Sequence, residues 1–125
     1  MLSDKNAAAN IAVKDLEIAK RFYQDVLGLQ LIDSGPPEVV IFKSGNSKII
    51  VYKSQYAGTN KATSMTWTVG DNIEEVVQAL KAKGITFEHY DIPNTKLEGD
   101  IHVDGKMKVA WFKDPDGNII NLVNR

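Results

Sequence analysis

The sequence predicts an α+β fold: two βαβββ modules forming an eight-stranded curved, incompletely closed sheet around a cavity. Three observations predict it. Runs of period two, as strands require, alternate with two runs at helical spacing. The order strand, helix, three strands occurs twice. The two copies also keep step, since Asp15 and Gly28 are 13 residues apart, as are Asp71 and Gly84, which offsets the copies by 56. A supersecondary unit of this size cannot bury its apolar face alone, so the 125 residues are read as one domain built from a repeat. Module 1 spans residues 7–54, module 2 spans 64–124, and the polar stretch 55–63 links them.

Each element has its own signal. In Ala7–Lys14, Ala9, Ile11 and Val13 alternate with Ala8, Asn10 and Ala12, a strand pattern. Asp15 stands where a helix N-cap belongs, with Glu17 in the first turn to complement the helix dipole. Leu16, Ala19, Tyr23, Val26 and Leu27 form one apolar stripe, with Phe22-Tyr23 as a core aromatic pair, and Gly28 ends the helix. Leu29–Asp33, Val39–Lys43 and Lys48–Lys53 read as strands, separated by Gly35-Pro36-Pro37 and by Ser44-Gly45-Asn46. In the second copy, Ser64–Gly70 is a strand, and Asp71 with Glu74 makes a capping-box pattern. Ile73, Val76, Val77 and Leu80 form the helical stripe, ended by Gly84. Ile85–Tyr90, Lys106–Lys113 and Asn118–Val123 complete the set. The second hairpin turn, Asp116-Gly117-Asn118, lies 72 residues after its counterpart, so module 2 carries about 16 extra residues, in the polar stretch Asp91–Gly105. Long segments beside a cavity often act as lids or binding loops.

Composition narrows the function classes. Fifteen basic against sixteen acidic residues leave a net charge of -1, with no basic footprint for nucleic acid. No apolar run approaches the roughly 18–20 residues of a membrane helix, and Met1–Lys5 lacks the apolar stretch of a signal peptide. The absence of cysteine excludes disulfides, thiolate metal sites and a cysteine nucleophile. A cytoplasmic protein without membrane or nucleic-acid partners is expected. Gly-x-Ser-x-Gly, P-loop and dinucleotide fingerprints are all absent.

The segments NIAVKDLEIAKRFYQDVLGLQL (Asn10–Leu31) and VAWFKDPDGNIINLV (Val109–Val123) resemble the vicinal oxygen chelate superfamily. That group holds glyoxalase I, extradiol dioxygenases, fosfomycin-resistance proteins and bleomycin-binding proteins. The resemblance runs from about Ala7 to Val123, and its paired βαβββ modules agree with the repeat. The resemblance implies where metal ligands would lie. The first-strand His of metal-dependent members falls on Ala8, its second-module counterpart on Ser64, the closing Glu on Asn121, and a fourth-strand ligand on Ile49 or Ile50. Alanine and isoleucine carry no ligand atom, and a hydroxyl and an amide are weak neutral donors. A one-residue slip does not help, because Ala7–Lys14, Ser64–Gly70 and Asn118–Val123 contain neither His nor Glu. The expectation is a member lacking the metal ligands, with no metal, no cofactor, and none of the metal-dependent glyoxalase, dioxygenase or thiol-transfer chemistry.

Parity assigns the cavity lining. With Ala9, Ile11 and Val13 on the helix side, Ala8, Asn10 and Ala12 face the cavity, as do Ser64, Thr66, Thr68, Ile119 and Asn121. Tyr52 and Trp111 either wall the cavity or belong to the core. The ligand-binding candidates are Asn10, Tyr52, Ser64, Thr66, Thr68, Trp111 and Asn121, a neutral set suited to a planar organic molecule. Of the two histidines, His89 follows Glu88, and His102 shares a strand face with Asp100 and Asp104. That face is either a small metal or acid–base site or a half-exposed hairpin strand. The leading function is metal-free binding of a small, planar organic molecule, of sequestration or resistance type, with a homodimer implied by the resemblance. The alternatives are a metal-independent isomerase or lyase using cavity polar residues, and a ligand-free interaction domain.

Overall fold

The computed structural model describes residues 1–33 and 38–125; the expected Gly35-Pro36-Pro37 separator lies outside them. The chain divides into two compact units, Met1–Thr59 and Asn60–Arg125. No helix among the described residues is long and apolar enough to cross a membrane.

Unit 1 runs β1 (Ala9–Val13), α1 (Leu16–Lys20, continued to Val26), β2 (Gln30–Asp33), β3 (Val39–Ser44) and β4 (Ser47–Lys53). Its sheet has the order β1-β4-β3-β2, with β1 parallel to β4 and the other pairs antiparallel. The alternation read from the sequence decides the buried face: Ile11, Val13, Val40, Phe42, Ile49 and Val51 are all buried. Helix α1 contacts β3 and β4 and contributes buried Ala19 and Tyr23. Tyr23 meets Phe42 at 6.0 Å and Phe22 edge-on at 5.1 Å between ring centroids. Asp15 caps α1, its Oδ1 accepting from the Glu17 and Ile18 N–H groups at 2.9 and 3.2 Å. Residues Arg21–Val26 widen to i→i+5 bonds, a change that the apolar spacing does not signal. Leu29 N–H closes the helix on the Tyr23 carbonyl, and Gly28 supplies the positive φ of +75° that this needs.

Unit 2 runs β5 (Thr63–Thr68), α2 (Ile73–Ala82), β6 (Phe87–Glu88), β7 (Lys96–Glu98), β8 (Ile101–Asp104), β9 (Met107–Lys113) and β10 (Ile119–Val123). Here β10 lies between β5, to which it is parallel, and antiparallel β9. The buried residues include Ile73 and Val77 of α2 with Phe87, Ala110, Phe112, Ile120 and Leu122 of the sheet. The far side of β9 is shared: β6 pairs with Trp111 and Phe112, while β8 pairs with Met107 to Val109. The eight strands of the repeat are therefore present, and residues 91–105 add two more as the β7–β8 hairpin. The fold is α+β, and the described residues form ten strands, in sheets of four and six. Because β8 occupies half of that side of β9, the strand expected over Ile85–Tyr90 shortens to two residues.

Asp71 does not cap α2. Residues Gly70–Asn72 form one tight turn, Asn72 is the N-cap without a side-chain bond, and Glu74 pairs with Lys108 of β9 instead. That hydrogen bond holds the Glu74 carboxyl below, and the Lys108 ammonium above, its ordinary pKa. The Asp114–Asn118 turn is structural, as its sequence implies. Asp114 Oδ1 accepts from the N–H groups of Asp116 (3.0 Å) and Asn118 (2.9 Å), and its Oδ2 accepts from Asn118 Nδ2 (2.8 Å). Gly117, at φ +91°, reverses the chain. Asp114 and Asn118 are both buried, so Asp114→Ala strands three donors. It is expected to lower unfolding stability by about 2–3 kcal/mol, measured by urea denaturation.

Candidate ligand-binding site

The face of each sheet opposite its core holds the sequence candidates. In unit 1, Asn10 lies beside Ile50 and Ala12 beside Tyr52, while Ile41 and Val39 continue these rows on β3. Asn10 is exposed, Tyr52 is 36% exposed, and Ala12, Val39, Ile41 and Ile50 are half-buried. Tyr52 is thus part of the open face and not of the core. The result is a mostly apolar surface with an amide and a phenol on it.

In unit 2, register sets three rows across the strands. Thr66, Asn121, Trp111 and Glu88 form one; Thr68, Val123, Val109, His102 and Leu97 form the next; Thr63, Ile119 and Lys113 form the third. Thr66, Asn121 and Trp111 are therefore direct neighbours, and Thr68 lies one row away. Ser64 stands apart. The β5–β10 register shifts between Ile119 and Ile120, leaving Ser64 opposite no residue, and its Oγ accepts from Asn60 Nδ2 at 3.2 Å. Thr63, absent from the sequence candidates, takes the place beside the indole: Trp111 Nε1 donates to Thr63 Oγ1 at 3.1 Å. Strict alternation could not reveal this, because a bulge breaks the period that the prediction relies on.

His102 is the second departure. A half-exposed hairpin strand was one expectation, yet His102 is only 3% exposed and Ile101, on the opposite face of β8, is 6% exposed. The ring stands edge-on to Trp111 at 4.9 Å and stacks near Tyr90 at 6.3 Å. The Tyr90 backbone N–H donates to His102 Nε2 at 3.0 Å. An N–H can only donate, so Nε2 carries a lone pair and the ring proton sits on Nδ1. Among the described residues, two buried side-chain polar atoms have no hydrogen-bond partner: His102 Nδ1 and Asn121 Oδ1. Leaving such a group unpaired costs about 1–3 kcal/mol, so each marks a place where a bound partner is rewarded. One is a donor, the other an acceptor, and they lie in adjacent rows of one face. Beside His102 is a cavity of about 190 Å³ with apolar walls from Ile92, Pro93, Met107, Val109 and Trp111 and polar ones from Thr95, His102 itself and Asp104.

Asp100 does not join His102 and Asp104. Its Oδ2 accepts from Lys81 Nζ and its Oδ1 from His89 Nε2, both at 2.7 Å. These bonds, Lys81's first, hold the Asp100 carboxyl below the usual range. No group of three or more His, Cys, Asp or Glu side chains among the described residues is placed to hold a metal ion. The positions that the resemblance points to do not fit one either. Ala8 is exposed, Ile49 is in the core, Ile50 is on the open face, and Ser64 and Asn121 offer neutral oxygens.

A family model described as Glyoxalase/Bleomycin resistance protein/Dioxygenase superfamily matches residues 6–122. The chain belongs to this superfamily. Solved structures with the same fold include three relatives at low identity. A glyoxalase family protein from Enterococcus faecalis is 21% identical, with a TM-score of 0.74 over 98% of this chain and 99% of that one. Lactoylglutathione lyase from Agrobacterium tumefaciens is 21% identical, with a TM-score of 0.72 over 98% and 95%. The fosfomycin resistance protein FosX from Listeria monocytogenes is 16% identical, with a TM-score of 0.68 over 100% and 93%. At these identities the likeness concerns the glyoxalase-type fold alone.

The Asp100 pairing sets a pH dependence. Its carboxyl titrates lower in the folded than in the unfolded chain, so its contribution is full above the unfolded value near 4. It is lost as pH falls through the folded value. Asp100→Asn is therefore expected to be less stable than the parent at pH 7, with the difference shrinking below about pH 4. Urea titrations at pH 7 and pH 2.5 check this.

Proposed function

We propose that this superfamily member is a metal-independent binding protein that sequesters a small, planar organic molecule on an open sheet face. The carrying observation is Asn121: its buried amide oxygen has no partner, and it lies in one row with Thr66 and Trp111. At that position the resemblance implies the closing carboxylate of metal-dependent members. An amide there removes a ligand charge and supplies a neutral hydrogen-bonding group. Around it, Thr68 and the Trp111 indole continue the surface in unit 2, with Ser64 at its bulged margin. Asn10 and Tyr52 give the unit 1 face the same neutral character. Hydroxyls, amides and aromatic walls favour an uncharged flat ligand over a phosphate or dicarboxylate. The reading includes a homodimer acting in the cytoplasm, on the family resemblance and the near-neutral, cysteine-free composition. The bleomycin resistance proteins that the family description names make sequestration of an antibiotic-like compound a natural instance.

A metal-independent isomerase or lyase is the second reading, favoured by the fixed His102 tautomer with its free Nδ1–H. Native mass spectrometry with elemental analysis, on protein purified from its own host, tests the first. The expected result is a retained organic mass without stoichiometric metal. Trp111→Ala and Asn121→Leu are expected to weaken binding of that compound at least about tenfold, or roughly 1.4 kcal/mol. Stoichiometric metal, or variants that bind as well as the parent, overturns the proposal; chemical conversion of the compound favours the enzyme.

A further inference from the structure

We propose that the cavity beside β8 accepts one uncharged aromatic ring carrying a hydrogen-bond acceptor, and that His102 Nδ1–H donates to that acceptor. This deepens the binding reading and rests on it, since Trp111 belongs to both sites. Four observations converge. The ring proton of His102 is fixed on Nδ1 by the Tyr90 N–H at Nε2, so the group offered is a donor. That donor is buried and unpaired. The other side-chain polar hydrogens on the cavity wall are engaged: Trp111 Nε1 donates to Thr63, and Thr95 Oγ1 donates to the Ile92 carbonyl at 2.7 Å. The volume, about 190 Å³, is close to the roughly 150 Å³ of an engineered cavity that admits benzene. It is below the roughly 300 Å³ where pockets for drug-sized ligands begin.

Charge narrows the class. Asp104 lines the same cavity, so a carboxylate or phosphate ligand would meet a like charge there. A carbonyl, an aromatic ether or a ring nitrogen meets the His102 donor without that penalty. The cavity belongs to the inserted hairpin, because Thr95, His102 and Asp104 all come from residues 91–105. The extra segment is therefore the source of the specificity.

The probe is benzamide, with benzoate and toluene as comparisons, followed by side-chain ¹H–¹⁵N spectra of the two histidines. Benzamide is expected to shift the His102 Nδ1 resonance saturably while His89 stays in place. Benzoate is expected to bind at least about tenfold more weakly, and toluene to bind without the downfield shift that a hydrogen bond gives the Nδ1 proton. His102→Phe is expected to weaken benzamide about tenfold without affecting toluene. Should that variant fail to fold, Met107→Trp serves: Met107 is 44% exposed, so a larger side chain blocks the cavity from its rim without entering the core. Benzamide that leaves Nδ1 unmoved, or that binds either variant as it binds the parent, overturns the proposal. If the protein retains an organic compound yet benzamide leaves His102 unmoved, this inference fails and the binding reading stands. If it retains nothing but benzamide engages His102, the outcome is the reverse.

Discussion

Parallel pairing of the first strand of each unit with its last, β1 with β4 and β5 with β10, carries the rest of the structure. A parallel partner cannot be reached by a tight turn, so a crossover must intervene, and the helix of each unit lies within it. In unit 1 that helix packs against β3 and β4 on the side of the buried residues. Once the register is fixed, period two sends Ile11, Val13, Ile49 and Val51 one way and Asn10, Ala12, Ile50 and Tyr52 the other. The chemistry available to the protein is whatever the sequence places on the second set.

Much of this is legible in the sequence because it depends on local periodicity. The strands, the Asp15 cap, the Gly28 ending and the Asp114 turn are each encoded by a handful of neighbouring residues, as is the alternation that sets Thr66, Asn121 and Trp111 in one row. What escapes is set by residues distant in sequence. The bulge that brings Thr63 to Trp111 arises from the fit of β5 against β10. Glu74 leaves its capping role for Lys108, thirty-four residues away. His102 is buried because the hairpin folds back on β9, although its own strand reads as polar on that face.

The superfamily is associated with metal chemistry, yet the positions implied for ligands hold Ala8, Ser64, Asn121 and isoleucine. Where the resemblance implies a carboxylate, Asn121 carries an amide between Thr66 and Trp111, and an amide offers neutral hydrogen-bonding atoms in place of a charged oxygen. The fold tolerates the exchange because nothing in the buried sets of either sheet depends on it. Scaffold and chemistry occupy opposite faces of the same strands, which is how one architecture serves unrelated ligands.

The β7–β8 hairpin has a consequence for solubility. Without it, Met107–Val109 would present unpaired backbone donors and acceptors at the edge of the sheet, a template for joining another chain. The hairpin makes that part of β9 an interior strand and moves the terminus of the sheet to β7. That strand is three residues long, with charged Lys96 and Glu98 at its ends. Short, charged margins resist edge-to-edge aggregation, so the segment that shapes the His102 cavity also guards the unit against self-assembly into fibres.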